Sequence, residues 1–127
     1  MIFGIGTDIV RVSRIQKSLD RYGERFARRI LAGQELDDFR CTLHPARFLA
    51  RRFAAKEAVV KAYGTGFTQG ITFQDIVVGH DAAGKPLLLL SGRALELQHE
   101  LGIGEPFISI SDEQEYAVAF VTLMKVK

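Results

Sequence analysis

The chain has 127 residues, 47% of them apolar, and one cysteine. That is enough for one domain with its own core, at the small end where contacts between copies help. A single cysteine excludes an intramolecular disulfide framework and makes the cytoplasm the expected setting. The net charge of +2 is unevenly placed: residues 1–64 carry 13 Lys or Arg against 7 Asp or Glu, and residues 65–127 carry 4 against 8. A basic half suits an acidic partner, a phosphorylated substrate, or both. Met1 to Ile5 is too short for a signal peptide and lacks its charged leader, and no apolar run approaches a membrane span.

Ile2 to Ile9 is predicted to be a strand. Phe3, Ile5, Thr7 and Ile9 share one face, and Ile2, Gly4, Gly6 and Asp8 the other. Two glycines on one face imply close approach by another backbone or a ligand. Asp8 emerges on that thinned face, either as a site residue or as a carboxylate starting a turn. Ser13 and Gln16 have the spacing of a capping box. Ile15, Leu19 and Tyr22 then mark the buried side of a helix, with Arg14, Lys17 and Arg21 on one face beside them. Gly23 ends or bends it. Arg25, Arg28 and Arg29 follow, with Phe26 and Ile30 as apolar counterparts. From residue 11 to 29 there are seven bases and two acids. A helix built for stability would interleave acids four residues away, so this stripe suits docking on an acidic surface.

Glu35 to Cys41 reads as a short helix with Leu36 and Phe39 inward, and Cys41 as a packing residue. Pro45 fits the first turn of a long helix running to about Tyr63, with Gly64 as its stop and Gly66 a second sharp turn. Leu49, Phe53, Val60 and Tyr63 form an apolar stripe on this helix. Lys56 sits in the middle of the stripe, where a charge is costly unless paired or wet. Glu57 and Lys61 are four apart on the shoulder beside Ala50, Ala54 and Ala58. They form either a solvated salt pair or part of a site that something else approaches closely. Beyond this helix, Phe73 to Val78 and Leu87 to Leu90 suggest a hairpin around Asp81–Pro86. Ser91 is placed to cap a helix that Gly102 stops. Phe107–Ser111 and Tyr116–Val126 suggest a second hairpin. The last strand is apolar on both faces, which argues that it is covered twice, on one side by another subunit.

Two carboxylates in odd settings, Asp8 and Glu57, are hard oxygen ligands suited to Mg²⁺ shared with a phosphate. His44, His80 and His99 have no ligand spacing, and no nucleophile elbow or Ser-His-Asp order is present. The motif Phe53-x-x-Lys56-Glu57-Ala58-x-x-Lys61, with Gly6-x-Asp8 and Ala62-Tyr63-Gly64-Thr65-Gly66, resembles the holo-acyl-carrier-protein synthase family. These are small bacterial-type 4'-phosphopantetheinyl transferases. The likeness extends to Phe73-Gln74-Asp75, Gly84-Lys85-Pro86 and the closing Ser-Ile-Ser strand with Tyr116-Ala117.

The resemblance implies an α+β fold, a small antiparallel sheet packed with helices in one domain spanning residues 1–127, assembled as a homotrimer with active sites between subunits. It implies transfer of phosphopantetheine from coenzyme A to a serine of apo acyl carrier protein, leaving adenosine bisphosphate. By position, Asp8 and Glu57 would bind Mg²⁺, and Lys61 would contact the coenzyme A phosphates. Gly64, Thr65 and Gly66 would lie against the nucleotide end. Arg14, and more loosely Arg21 and Arg25, would dock the carrier. Glu57 or a water on the metal would deprotonate the serine. Lys56 would reach phosphate or pair internally. Some members have histidine where this chain has Asp112. A basic nucleic-acid-binding module and a structural oligomerisation domain are the alternatives. The first lacks an aromatic platform, and the second leaves Lys56 without a purpose.

Overall fold

The computed structural model describes residues 1–126. The chain opens with β1 (Ile2–Arg11), then α1 (Val12–Tyr22), α2 (Glu24–Ile30), α3 (Gly33–Cys41) and the long α4 (Pro45–Tyr63). A 3₁₀ turn at Phe73–Asp75 leads to the hairpin β2 (Ile76–His80) and β3 (Pro86–Leu90). Then come α5 (Gly92–Glu100), β4 (Ile103–Asp112) and β5 (Tyr116–Lys125). One antiparallel sheet has the order β1-β5-β4, and β2-β3 form a second. This is the expected α+β class. No helix is long and apolar enough to cross a membrane among the described residues.

The fold is set by how α4 lies on the three-stranded sheet. The inner sheet face is stripped of bulk: Gly4 and Gly6 on β1, Ala117 and Ala119 on β5. A Cβ added at Gly4 would fall inside the van der Waals shell of the Ala62 carbonyl oxygen, and one at Gly6 inside that of Ala58. Helix backbone therefore rests on strand backbone. Two strand residues rise about 6.6 Å and four helical residues about 6.0 Å, so successive inward positions of β1 meet successive turns of α4. The glycine face and the row Ala54, Ala58, Ala62 thus serve each other. The alanines make room for β1. Leu49, Val59 and Val60 are fully buried, each worth about 1.5–3 kcal/mol. The Tyr63 hydroxyl donates to the Ala94 carbonyl at 2.8 Å and ties α5 to α4.

Several boundaries differ from the expectations. β1 runs on to Arg11, so α1 begins at Val12 and Ser13 does not cap it; the Val12 N–H donates instead to the Glu115 carbonyl in the β4–β5 turn. Ser91 stands at the N-cap of α5 without a side-chain cap bond, its hydroxyl turned to the Asp75 carbonyl. Phe73 begins a 3₁₀ turn, not a strand. Tyr22 is exposed, with the Arg21 and Arg29 guanidiniums 5.2 and 6.0 Å from its ring centroid. Cys41 is exposed and does not pack. The inner face of β5 is covered by α4, while its outer face is open: Phe120 is 45% exposed, beside Ile5 at 59%, Ile9 at 64% and Phe107 at 48%.

Candidate active site

Asp8 follows Gly4 and Gly6 on the inward face of β1 and is the first residue there with a functional side chain. It emerges at the flank of α4 where Glu57 and Lys61 stand one turn apart. The Lys61 ammonium donates to Asp8 Oδ1 at 2.9 Å and to the Thr7 carbonyl at 3.1 Å. Glu57 is half-buried. Burial, with a further contribution from the Asp8 charge, raises its pKa above the ordinary glutamate value, against the opposing pull of Lys61. Two like charges are thus brought near each other at the edge of a helix, with the Lys61 ammonium paired to Asp8. No third His, Cys, Asp or Glu joins them as a potential ligand set among the described residues. Two carboxylates alone fit Mg²⁺, which keeps water and takes up phosphate oxygens, better than a cation needing an all-protein cage.

Beside Asp8 opens a cleft of 270 Å³ whose walls include Arg14, Ser18, Phe26 and Phe53. Arg14 therefore shares a cleft with Asp8, while Glu57 and Lys61 stand outside its lining. Arg21 and Arg25 are exposed on α1 and α2 but do not line it. Phe26 was legible as an apolar counterpart of the basic stripe and Phe53 as part of the apolar stripe of α4; the structure makes both walls of the cleft.

The Gly64-Thr65-Gly66 turn spends its amides on the helix end. All three N–H groups point to the Val60 carbonyl, at 3.2–3.3 Å. Gly64 is left-handed at φ 83° and Gly66 at φ 62°. The turn closes α4 and does not offer a nest of free amides to an anion. Asp112 accepts from Arg51 at 3.1 Å and Arg47 at 3.5 Å. Its carboxylate neutralises two arginines of α4.

Lys56 resolves to internal pairing. It is 0% exposed, and its ammonium donates to Glu35 Oε1 at 2.6 Å, the Ile30 carbonyl at 2.6 Å and the Phe73 carbonyl at 3.1 Å. All three donors are used. Glu35 in turn accepts from the Ala32 and Val78 amides and lies 3.3 Å from Arg52 Nε. Burial pushes the Lys56 pKa down against the pull of Glu35. Nothing in the spacing marked Glu35 as the partner, 21 residues earlier on a helix read with Leu36 and Phe39 as its inward residues.

Comparison with known proteins shows the family. A family model described as the 4'-phosphopantetheinyl transferase superfamily matches residues 4–121. A holo-[acyl-carrier-protein] synthase of Halorhodospira halophila is 57% identical over 124 residues, covering 98% of both chains. One of Vibrio cholerae is 54% identical over 123 residues, covering 97% of this chain and 98% of its own. The crystal structure of the Neisseria meningitidis holo-[acyl-carrier-protein] synthase superposes with a TM-score of 0.92 at 46% identity, over 98% of this chain and 100% of that one. A Bacillus anthracis structure, in complex with CoA (3',5'-ADP), gives 0.82 at 39% identity, over 100% of this chain and 99% of that one. From its inward Asp8 to the Lys56-Glu57 helix, and across nearly its whole length, the chain belongs to the holo-[acyl-carrier-protein] synthase family of the 4'-phosphopantetheinyl transferase superfamily.

Proposed function

We propose that this chain transfers the 4'-phosphopantetheine group of coenzyme A to a serine of apo acyl carrier protein, releasing adenosine 3',5'-bisphosphate. The setting would be cytoplasmic fatty acid biosynthesis. The observation that carries this is the convergence of Asp8, Glu57 and Lys61 beside the cleft that Arg14 lines. It also favours this reading over nucleic-acid binding, because Arg14 of the basic stripe shares its cleft with Asp8.

The serine oxygen forms a bond to the phosphorus that bears pantetheine. The bond from that phosphorus to the bridging oxygen breaks, and its electrons leave on the adenosine 5'-phosphate. Such a displacement needs alignment and charge neutralisation more than a covalent intermediate. Asp8 and Glu57 would hold Mg²⁺, which supplies charge neutralisation to the diphosphate. Glu57 takes the serine proton. Lys61 leaves Asp8 for the departing phosphate; its side chain is 50% exposed and long enough to swing. The Gly64–Gly66 turn contributes shape beside the nucleotide. Arg14, with Arg21 and Arg25 outside the cleft, meets the acidic carrier. The open apolar outer sheet face of Ile5, Ile9, Phe107 and Phe120 supports a homotrimer with its sites between subunits.

The test is to mix the protein with coenzyme A, Mg²⁺ and apo carrier protein and to weigh the carrier by mass spectrometry. A gain of one phosphopantetheine is expected. No gain with any carrier tried would overturn the proposal.

A further inference from the structure

We infer that Lys56, together with Gln74, positions the carrier-docking helix α2 against the helix that bears Glu57. α2 has only seven residues, follows Gly23 at φ 61° and has no side-chain cap at its start. A helix this short does not hold itself in water. Its last four carbonyls need partners from outside the helical ladder, and each is accounted for. The Ala27 carbonyl accepts from the Leu31 amide at 2.9 Å. The Arg28 and Arg29 carbonyls accept from Gln74 Nε2 at 2.8 and 3.0 Å. The Ile30 carbonyl accepts from the Lys56 ammonium at 2.6 Å. An ammonium at a helix C-terminus also complements the negative end of the helix dipole.

Three of the four bonds that end α2 therefore come from two side chains outside it. One of these, Lys56, directly precedes Glu57 on α4. The other, Gln74, lies in the 3₁₀ turn that Lys56 also grips through the Phe73 carbonyl. α2 carries Phe26 into the Asp8–Arg14 cleft and presents Arg25 to solvent. One buried ammonium thus fixes the distance between the surface that would receive the carrier and the carboxylate that would act on its serine. Net stability does not explain the choice of lysine, because an apolar set of similar volume fills such a position equally well. Lys56 and Gln74 act here as positioning residues, and the docking half of this inference rests on the proposed activity.

The test uses the full chain in two variants. Lys56→Met removes the ammonium and leaves Glu35 held by Arg52 at 3.3 Å and by the Ala32 and Val78 amides. Gln74→Ala removes an exposed side chain and leaves the core intact. Hydrogen exchange of residues 24–30 should quicken about tenfold or more in each, while β5 stays protected. The KM for carrier protein should rise about fivefold, with the KM for coenzyme A unchanged. Unchanged exchange of residues 24–30 in variants of a protein that transfers normally would overturn the positioning role alone. Equal rises in both KM values would overturn the docking role. A wild-type protein that modifies no carrier would overturn the proposed activity and, with it, the docking role, while exchange at α2 still reads on Lys56 and Gln74.

Discussion

Two lysines on one helix, five residues apart, have opposite surroundings. Lys56 is sealed among α2, α3 and the 3₁₀ turn, with every donor fixed. Lys61 is half exposed and holds Asp8 through one ion pair at the rim of a cleft. The first is a fixed post and the second a movable charge. The difference teaches how a small chain divides its work: buried charge sets geometry, and exposed charge does chemistry. Glu57 sits between them in sequence; burial and the Asp8 charge raise its pKa, against the smaller pull of Lys61.

Breaking the post should cost most. Lys56→Ala leaves Glu35 charged and buried, and should lower unfolding stability by about 3–5 kcal/mol. Chemical denaturation checks this; a loss below about 1 kcal/mol would show that Arg52, 3.3 Å from Glu35, holds the carboxylate by itself. Next is the contact that seats α4. Gly6→Ala places a Cβ against the Ala58 carbonyl and should cost about 1–3 kcal/mol, with turnover falling as Asp8 moves away from Glu57. A fully stable and active Gly6→Ala protein would mean that α4 can shift freely on β1.

The glycine face of β1 and the oddity of Lys56 were both legible in the sequence, because each breaks a local rule. Glycine weakens a strand, and a charge disrupts an apolar stripe. Their resolutions were not legible. Gly4 and Gly6 needed Ala58 and Ala62, more than fifty residues away, and Lys56 needed Glu35 on a helix read with Leu36 and Phe39 as its inward residues. Ser13 misled because β1 extends past Ile9 and Val12 finds its partner in a distant turn. Tyr22 misled because helical spacing cannot tell a core contact from a stack under arginines. Asp8, Glu57, Lys61 and Arg14 were all named from sequence; their convergence required the sheet register and the helix laid across it.

Smaller effects sharpen the other side of the comparison. Lys61 donates to Asp8 at 2.9 Å, so in the proposed site it would compete with a cation for that carboxylate. Lys61→Met should bind Mn²⁺ about fivefold more tightly in the absence of coenzyme A, even as transfer fails. Weaker Mn²⁺ binding would show that the lysine supports the metal site. Smallest is the effect of Glu57 itself. Its raised pKa means that the ionised form costs the metal-free fold stability above that value, and nothing below the unfolded value of 4.5. Glu57→Gln should therefore raise the melting temperature at pH 7 by about 1–2 °C without metal, modestly because the group is partly solvent-screened. That gain should vanish below pH 4.5. An equal gain at both pH values would point to packing, not charge.

In the proposed site Asp8 and Glu57 share one divalent cation. Mn²⁺ titration of the wild type, Asp8→Asn, Glu57→Gln and the double variant, followed by electron paramagnetic resonance, tests it most directly. The account predicts one site per chain, lost to a similar extent in each single variant and no further in the double. Wild-type affinity in either single variant would contradict it.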